Sequence, residues 1–181
     1  MTAPDPQQAL RNRRLLLLFI TFFVVSAIGV TIYGFVVVDR VKTQAKRSDV
    51  ALRLRAWSIL SIADATGAFP SDETQADERL DQPSLVDALS KGVQTDDSDD
   101  FSLAGTAIPS TRAEALSGSM AEQFVMNADV VGEIVEVSWD PEGRLPPVLS
   151  VSGRPSGLVA GGTTLELVNI WLRRAGDRLG R

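Results

Sequence analysis

The chain contains no cysteine and no histidine. Without cysteine it can form neither disulfides nor thiolate metal sites, and it has no cysteine nucleophile. Without histidine it lacks the commonest general base and metal ligand, and a Ser-His-Asp triad is impossible. It also lacks the GxSxG and GxxxxGK[ST] patterns. We therefore expect no enzyme activity and no bound cofactor.

Two catalytic arrangements stay open, and both are disfavoured. Ser90 and Lys91 could form a Ser-Lys pair, but adjacent residues on a helix do not face each other. Paired carboxylates for glycoside chemistry are available, but nothing in the sequence places two of them in one cleft. An enzyme is the weakest of the functional hypotheses.

Acidic residues exceed basic ones, which gives a formal net charge of −5 and no electrostatic reason to expect a nucleic-acid partner. The densest acidic stretch is TDDSDD, with Asp96, Asp97, Asp99 and Asp100. It lacks the glycine and the terminal glutamate of an EF-hand loop. A solvated acidic loop is favoured over a calcium site, so we predict no bound metal.

A long apolar run is present near the N-terminus. Leu15 to Val38 contains no charged residue and exceeds the roughly 20 residues that a helix needs to cross a bilayer core. A buried soluble helix is an alternative, but a domain this small could not cover it on all sides. A cleaved signal peptide has a shorter apolar region of roughly 7–15 residues. We predict a cytoplasmic tail at 1–14, expected to be disordered, and an uncleaved signal-anchor, a single-pass transmembrane helix, at 15–38.

Basic residues flank the run on both sides, with Arg13 and Arg14 before it and Arg40 and Lys42 after it. These side chains are expected at the lipid head groups. More basic residues follow the run than precede it, which does not favour a cytoplasmic N-terminus. Long C-terminal domains can translocate regardless of charge, so charge alone leaves the orientation open.

Residues 39–65 contain neither proline nor glycine and continue a helical pattern. Val50, Leu54, Trp57 and Leu60 fall on one helical face, which predicts an amphipathic helix whose arginines lie mostly elsewhere. Together with the apolar run this gives one helix of roughly 50 residues, about 75 Å long. Gly67 and Pro70 then predict its end, and 71–83 is predicted to be an acidic, turn-like segment.

The remaining sequence predicts a small α+β domain over 39–181 together with the helix before it. EIVEVSW and PVLSVS, separated by a turn at 140–143, predict an antiparallel hairpin. Thr163 or Thr164 caps a last helix, TLELVNIWLRRAGDRL, with an apolar stripe. The other predicted elements are a short helix at 84–92, a short strand at 101–108, a small helix or irregular segment at 111–126 and a flexible glycine-rich connection at 153–162.

The order of these elements resembles a type IV pilin-like protein. LRLRAWSILSIADATGAFPSDE is similar to the end of the long first helix in type II secretion pseudopilins, and SLVDALSKG to the short helix that follows. The resemblance implies an amphipathic helix packed on a small antiparallel sheet, in a pseudopilin-like component or accessory of a secretion or surface apparatus. It places the protein in the cytoplasmic (inner) membrane, with the C-terminal domain extracytoplasmic.

Six residues are assigned structural roles in this interpretation. Trp57, with Val50 and Leu54, is expected to bind the helix to the sheet. Gly67, Phe69 and Pro70 form the helix terminator that folds Phe69 onto the core, although any helix stop could carry a glycine and a proline. The implied partners are the lipid bilayer and other proteins, reached through the transmembrane helix and the sheet domain.

One departure from the family is large. Prepilins carry a glycine-containing processing site before the span and a glutamate within it, whereas here Arg13-Arg14-Leu15 opens a span without either. The resemblance therefore favours a non-processed, anchored protein over a filament subunit. The alternative hypothesis is a membrane-tethered ligand-binding or sensory module, with a pocket beside the sheet, under residues 153–162.

Overall fold

The computed structural model describes residues 6–80, 89, 107–159 and 162–180, with side chains from Arg13 onward. The chain divides into two compact units, Met1–Lys42 and Thr43–Arg181. The described elements are α1 (Pro6–Thr66), α2 (Glu73–Leu80), α3 (Arg112–Ala115), α4 (Ala128–Ile134), β1 (Glu136–Ser138), β2 (Val148–Ser150), β3 (Leu158–Val159), β4 (Gly162–Thr163) and α5 (Thr164–Leu179), with a 3-10 turn at Ala121–Gln123.

Helix α1 begins earlier than predicted, because the residues expected to form a disordered tail are helical from Pro6 onward. Proline is accepted in the first turn of a helix, where its missing N–H is not needed. The glutamine, alanine, leucine and arginine residues that follow are good helix formers. In the first unit, the side chains from Arg13 to Val38 are exposed throughout.

In the second unit, α1 is not an amphipathic helix. Every residue from 48 to 63 is buried, including Arg53 at 5% exposure and Arg55 at 0%. The prediction that the arginines lie away from the core is therefore wrong. Spacing alone suggested a polar face, but carboxylates and carbonyls supplied by other parts of the chain enclose that face as well.

Helix α2 occupies the segment predicted to be turn-like, and this prediction is also wrong. Asp72 accepts a hydrogen bond from the backbone N–H of Gln75 at 3.1 Å, as an N-cap residue does. Ala76 and Leu80 are buried on its inner face. The acidic residues that suggested a turn stand on a helix because arginine from α1 pairs with them.

The predicted hairpin is confirmed, although its strands are shorter than the sequence patterns. β1 and β2 are antiparallel, with Val137 opposite Leu149. Residues 128–134, in part assigned to the first strand, form α4, because the side chain of Asn127 accepts from the N–H of Val130 and caps that helix.

The glycine-rich connection is more ordered than predicted. β3 and β4 pair antiparallel, with Leu158 opposite Thr163. The N–H of Thr164 donates to the carbonyl of Gly157 at 2.9 Å. Nearby hydrogen bonds thus hold part of this segment in a second small ribbon.

Helix α5 begins where the sequence places it. Thr163 is the N-cap and forms a capping box with Glu166. α5 packs against β2 and against the β3–β4 ribbon. Its inner face buries Leu167, Val168, Trp171, Leu172 and Ala175, whereas Leu165 and Leu179 are partly buried.

The described residues are therefore mostly helical, with a long N-terminal apolar helix, two small antiparallel strand pairs and a C-terminal helix. Residues 111–126 contain α3 and the 3-10 turn, in agreement with a small helix or irregular segment. The helix predicted at 84–92, the acidic loop at 96–100 and most of the strand at 101–108 lie outside the described residues. Ile108 is buried but is not in a strand.

Candidate functional site

The first candidate site is the exposed apolar surface of α1. This surface belongs to the one helix, among the described residues, that is long and apolar enough to cross a membrane, and its most apolar stretch is fully exposed. Arg13, Arg14, Arg40 and Lys42, predicted to flank a span, are all exposed. Water does not favour such a surface, because apolar area left exposed costs roughly 25 cal/mol per Å².

The second candidate site is the set of charged residues that α1 buries further along. The side chain of Arg55 has no exposed area, and its two terminal nitrogens donate to Asp77 at 2.6 Å and Glu73 at 2.8 Å. Gly132 of α4 lies over this pair, since a Cβ there would come within 3.1 Å of the Glu73 carboxylate. The cluster fastens α1 to α2, with the backbone of α4 packed against it.

Arg53 belongs to a separate cluster. Its Nε donates to Asp49 at 3.1 Å, and its Nη1 donates to the carbonyls of Ala115 and Ser117 at 3.0 and 3.1 Å. Asp49 also accepts a hydrogen bond from the hydroxyl of Thr164, at the start of α5. Gly157 lies against both, because a Cβ at that position would come within 2.8 Å of Asp49 and of the Thr164 hydroxyl. This cluster joins α1, the end of α3 and α5.

The sequence patterns did not identify these arginines as structural residues. Asp49 and Arg53 stand four residues apart, the spacing at which helical side chains meet, and that signal was available. Arg55 had no such signal, since its partners are 18 and 22 residues away along the chain.

The predicted terminator ends α1 and contacts the hairpin. Gly67 has a φ of +76°, and its N–H donates to the carbonyl of Ala63 at 2.9 Å. Phe69 is 5% exposed, and the backbone N–H of Phe69 donates to the carbonyl of Gly143 at 3.0 Å. The next residue, Pro70, is also buried. The end of α1 therefore packs directly against the turn that joins β1 to β2.

Trp57 is fully buried in the same core. It has no exposed area and shares one hydrophobic cluster with Phe69 and with Leu149 of β2. Val50 and Leu54 belong to that cluster too. The indole N–H of Trp57 is buried and has no hydrogen-bond partner among the described residues.

The pocket expected under the glycine-rich connection is small. A cavity of about 180 Å³ lies beside Val159 of β3 and is lined in part by Arg53, Glu114 and Trp171. Ligand sites are usually 300–1,000 Å³. The carboxylate of Glu114 accepts hydrogen bonds from the backbone N–H and hydroxyl of Ser110, which hold the pKa of Glu114 below its ordinary value.

A larger groove of about 550 Å³ lies between β2 and α5. Pro146, Pro147 and Val148 form one wall, and Leu165 and Ile170 lie on the other. Glu166, Asn169 and Arg173 complete its lining.

No metal site is apparent within the described residues, where no group of three or more carboxylates converges. The aspartates at 96–100 lie outside the described ranges. Comparison of the chain with protein-family models, with curated proteins and with solved structures gave no match.

Proposed function

We propose that this protein is a single-pass membrane-anchored structural or assembly protein, a pseudopilin-like component or accessory of a secretion or surface apparatus. The observation that carries the proposal is the composition of α1. One uninterrupted helix contains an uncharged, fully exposed stretch and, further along, a stretch enclosed in the core. A bilayer is the environment that suits the first stretch.

The role of the second unit is to display a folded surface. Its core contains the end of α1, so one helix belongs both to the proposed anchor and to the domain. Buried charge pairs and the terminator fix that helix to α2, α3, α5 and the hairpin. Such a construction suits a protein that holds a surface at a membrane for contact with other proteins.

Assembly in this proposal uses helix packing in the membrane without proteolytic processing. The span has neither the glycine before it nor the glutamate within it that prepilins use. Gly29 and Gly34 have no neighbouring atoms where a Cβ would lie, so a second helix could approach there. The proposed orientation puts the N-terminus in the cytoplasm and the second unit outside it.

A ligand-binding or sensory module is the weaker alternative. The cavity beside Val159 is smaller than ordinary ligand sites, and the Arg53 side chain that lines it already donates to Asp49 and to two carbonyls.

Reporter fusions after Arg181 test the proposal. One reporter is active only outside the cytoplasm, and a second, in a parallel fusion, is active only inside it. We expect an outside signal together with recovery of the protein in the membrane fraction. A cytoplasmic signal would discard the pilin-like interpretation, and the basic residues after the span would then be its cytoplasmic flank.

A further inference from the structure

We infer that the groove between β2 and α5 is a docking site for an extended peptide segment of a protein partner, apolar in its middle and oppositely charged at its two ends. The inference names a partner chemistry for the assembly role proposed above. Its test is independent of membrane orientation, so either idea can fail alone.

The two walls of the groove are apolar. Pro146 and Pro147 offer no backbone N–H, and Val148 is 59% exposed. Leu165 and Ile170 are only partly buried on the α5 side. An apolar side chain placed here would remove exposed area from water on both walls.

The polar groups in the middle of the groove are already occupied. Asn169 accepts from the N–H of Leu149 at 2.9 Å and donates to the Leu149 carbonyl at 3.0 Å, and it also donates to the carbonyl of Leu165. Asn169 thus pairs with the outer edge of β2 as a neighbouring strand would. A partner cannot add a strand at this point and must bind through side chains.

The two ends of the groove carry opposite charges. Glu166 and Arg173 are exposed and stand on one face of α5, seven residues apart, which is about 10.5 Å along a helix axis. Among the described residues Arg173 forms no ion pair with a carboxylate. The Glu166 carboxylate caps the helix through its Oε2 atom, which leaves the Oε1 oxygen available.

This spacing is compatible with a polyproline II segment. In a polyproline II segment, residues i and i+3 share a face and lie about 9.3 Å apart. In a β-strand those residues face opposite sides. A segment with lysine or arginine at one position and a carboxylate three residues away would meet both charges. Its two intervening apolar residues, each turned about 120° from the charged face, would contact the walls of the groove.

The test uses the full chain in lipid nanodiscs and fluorescent peptides containing Lys-Leu-Pro-Glu or the reverse order, Glu-Pro-Leu-Lys. We expect one order to bind with a dissociation constant below about 1 mM. We expect Gln-Leu-Pro-Gln, which has the same apolar residues without the charges, to bind more weakly. Fluorescence polarisation measures all three.

Charge reversal identifies the site. Arg173→Glu should weaken binding about tenfold, and a peptide whose carboxylate is replaced by lysine should recover the loss. Arg154→Glu makes the same charge change at an exposed residue outside the groove and should leave binding unchanged. Equal losses in both variants, or no binding by either charged peptide, would overturn the inference. Self-association that Arg173→Glu abolishes, in the absence of peptide binding, would assign the groove to a second copy instead.

Discussion

Arg55 is fully enclosed, whereas its two partners are not. The side chains of Glu73 and Asp77 retain 51% and 33% exposure. Water can therefore solvate the carboxylates if the arginine is removed, but it cannot reach the guanidinium if the carboxylates are neutralised. The two ways of breaking the cluster should differ in cost, because an uncompensated buried charge is the expensive product.

We predict that Glu73→Gln combined with Asp77→Asn destabilises the protein by about 3–5 kcal/mol, the cost of stranding a buried charge. Arg55→Met should cost less, about 1–3 kcal/mol, because it removes the buried charge and leaves hydrated carboxylates. Urea unfolding of the full chain in detergent measures both. A larger loss in Arg55→Met than in the double variant would contradict this account.

An exposed pair provides the control. Arg144 and Glu142 lie 3.2 Å apart, with side chains 80% and 65% exposed. Glu142→Gln should change stability by no more than about 1 kcal/mol, since water and ions screen exposed pairs.

Trp57 is the largest fully buried side chain of the core. Trp57→Ala should destabilise the protein by roughly 3–5 kcal/mol, as aromatic truncation in cores does. Trp57→Phe should cost less, since it keeps an aromatic ring and removes an N–H that has no partner among the described residues. Val125 is 98% exposed, so Val125→Ala is the matched control. Unchanged thermal unfolding of Trp57→Ala would refute the prediction.

Asp140 gives the hairpin turn a dependence on pH. Its carboxylate accepts from the backbone N–H groups of Leu145 and Arg144, which lowers the pKa of Asp140. Because the pKa of Asp140 is lowered in the folded state, its carboxylate stabilises the fold fully above the ordinary pKa of about 3.9. This stabilisation is lost as the pH falls through the folded-state pKa. The stability difference between the native chain and Asp140→Asn should shrink in that range, as denaturant unfolding at stepwise lower pH would show. A difference that stays constant with pH would rule this out.

At the scale of elements, the sequence correctly predicted those features that are determined by residues close together in the chain. The end of α1, the hairpin and the start of α5 follow from local signals, namely Gly67 with Pro70, the alternation in EIVEVSW and the Thr163–Glu166 capping box. Two of the failures depend on distant partners. α2 forms where Arg55 supplies the opposing charge, and the enclosed part of α1 has no polar face because other elements cover it.

Gly143 joins two elements and can be tested against a matched glycine. Gly143 and Gly153 have φ angles of +63° and +62°, but a Cβ at Gly143 would lie 2.5 Å from the Phe69 carbonyl oxygen, whereas at Gly153 it would meet nothing within 4 Å. Gly153→Ala should cost about 1–2 kcal/mol from backbone conformation alone. Gly143→Ala should cost about 1–3 kcal/mol more, because the turn must move away from α1. Equal melting temperatures would show that the close approach does not matter.

At the scale of the whole molecule, the apolar run was identified from composition alone, since Leu15–Val38 contains no charge. The groove and the buried clusters were not, because they are formed by residues far apart in the chain. Leu149 and Asn169, for example, are 20 residues apart in the chain and are brought together by the hairpin and α5.

The proposed membrane association of the whole protein is tested by charge at the centre of the run. Val25→Arg together with Ile28→Arg should move the protein out of the membrane fraction, since each arginine costs about 2.5–3.5 kcal/mol at the centre of a span. Leu158→Arg places the same residue at an 86% exposed position in β3 and should not change fractionation. Alkaline extraction of membranes followed by immunoblotting measures the distribution. Retention of the double arginine variant would contradict a membrane span.

The burial of every residue from 48 to 63 has a consequence for how this gene can vary. A helix with one solvent face accepts substitutions with a period of 3.6 residues, because every third or fourth position is free. Residues 48–63 have no such free positions, since each side chain is limited by volume or by a charge partner. A saturation mutagenesis profile should therefore show one continuous intolerant block there, and drift among descendants of this sequence should accumulate on either side of it.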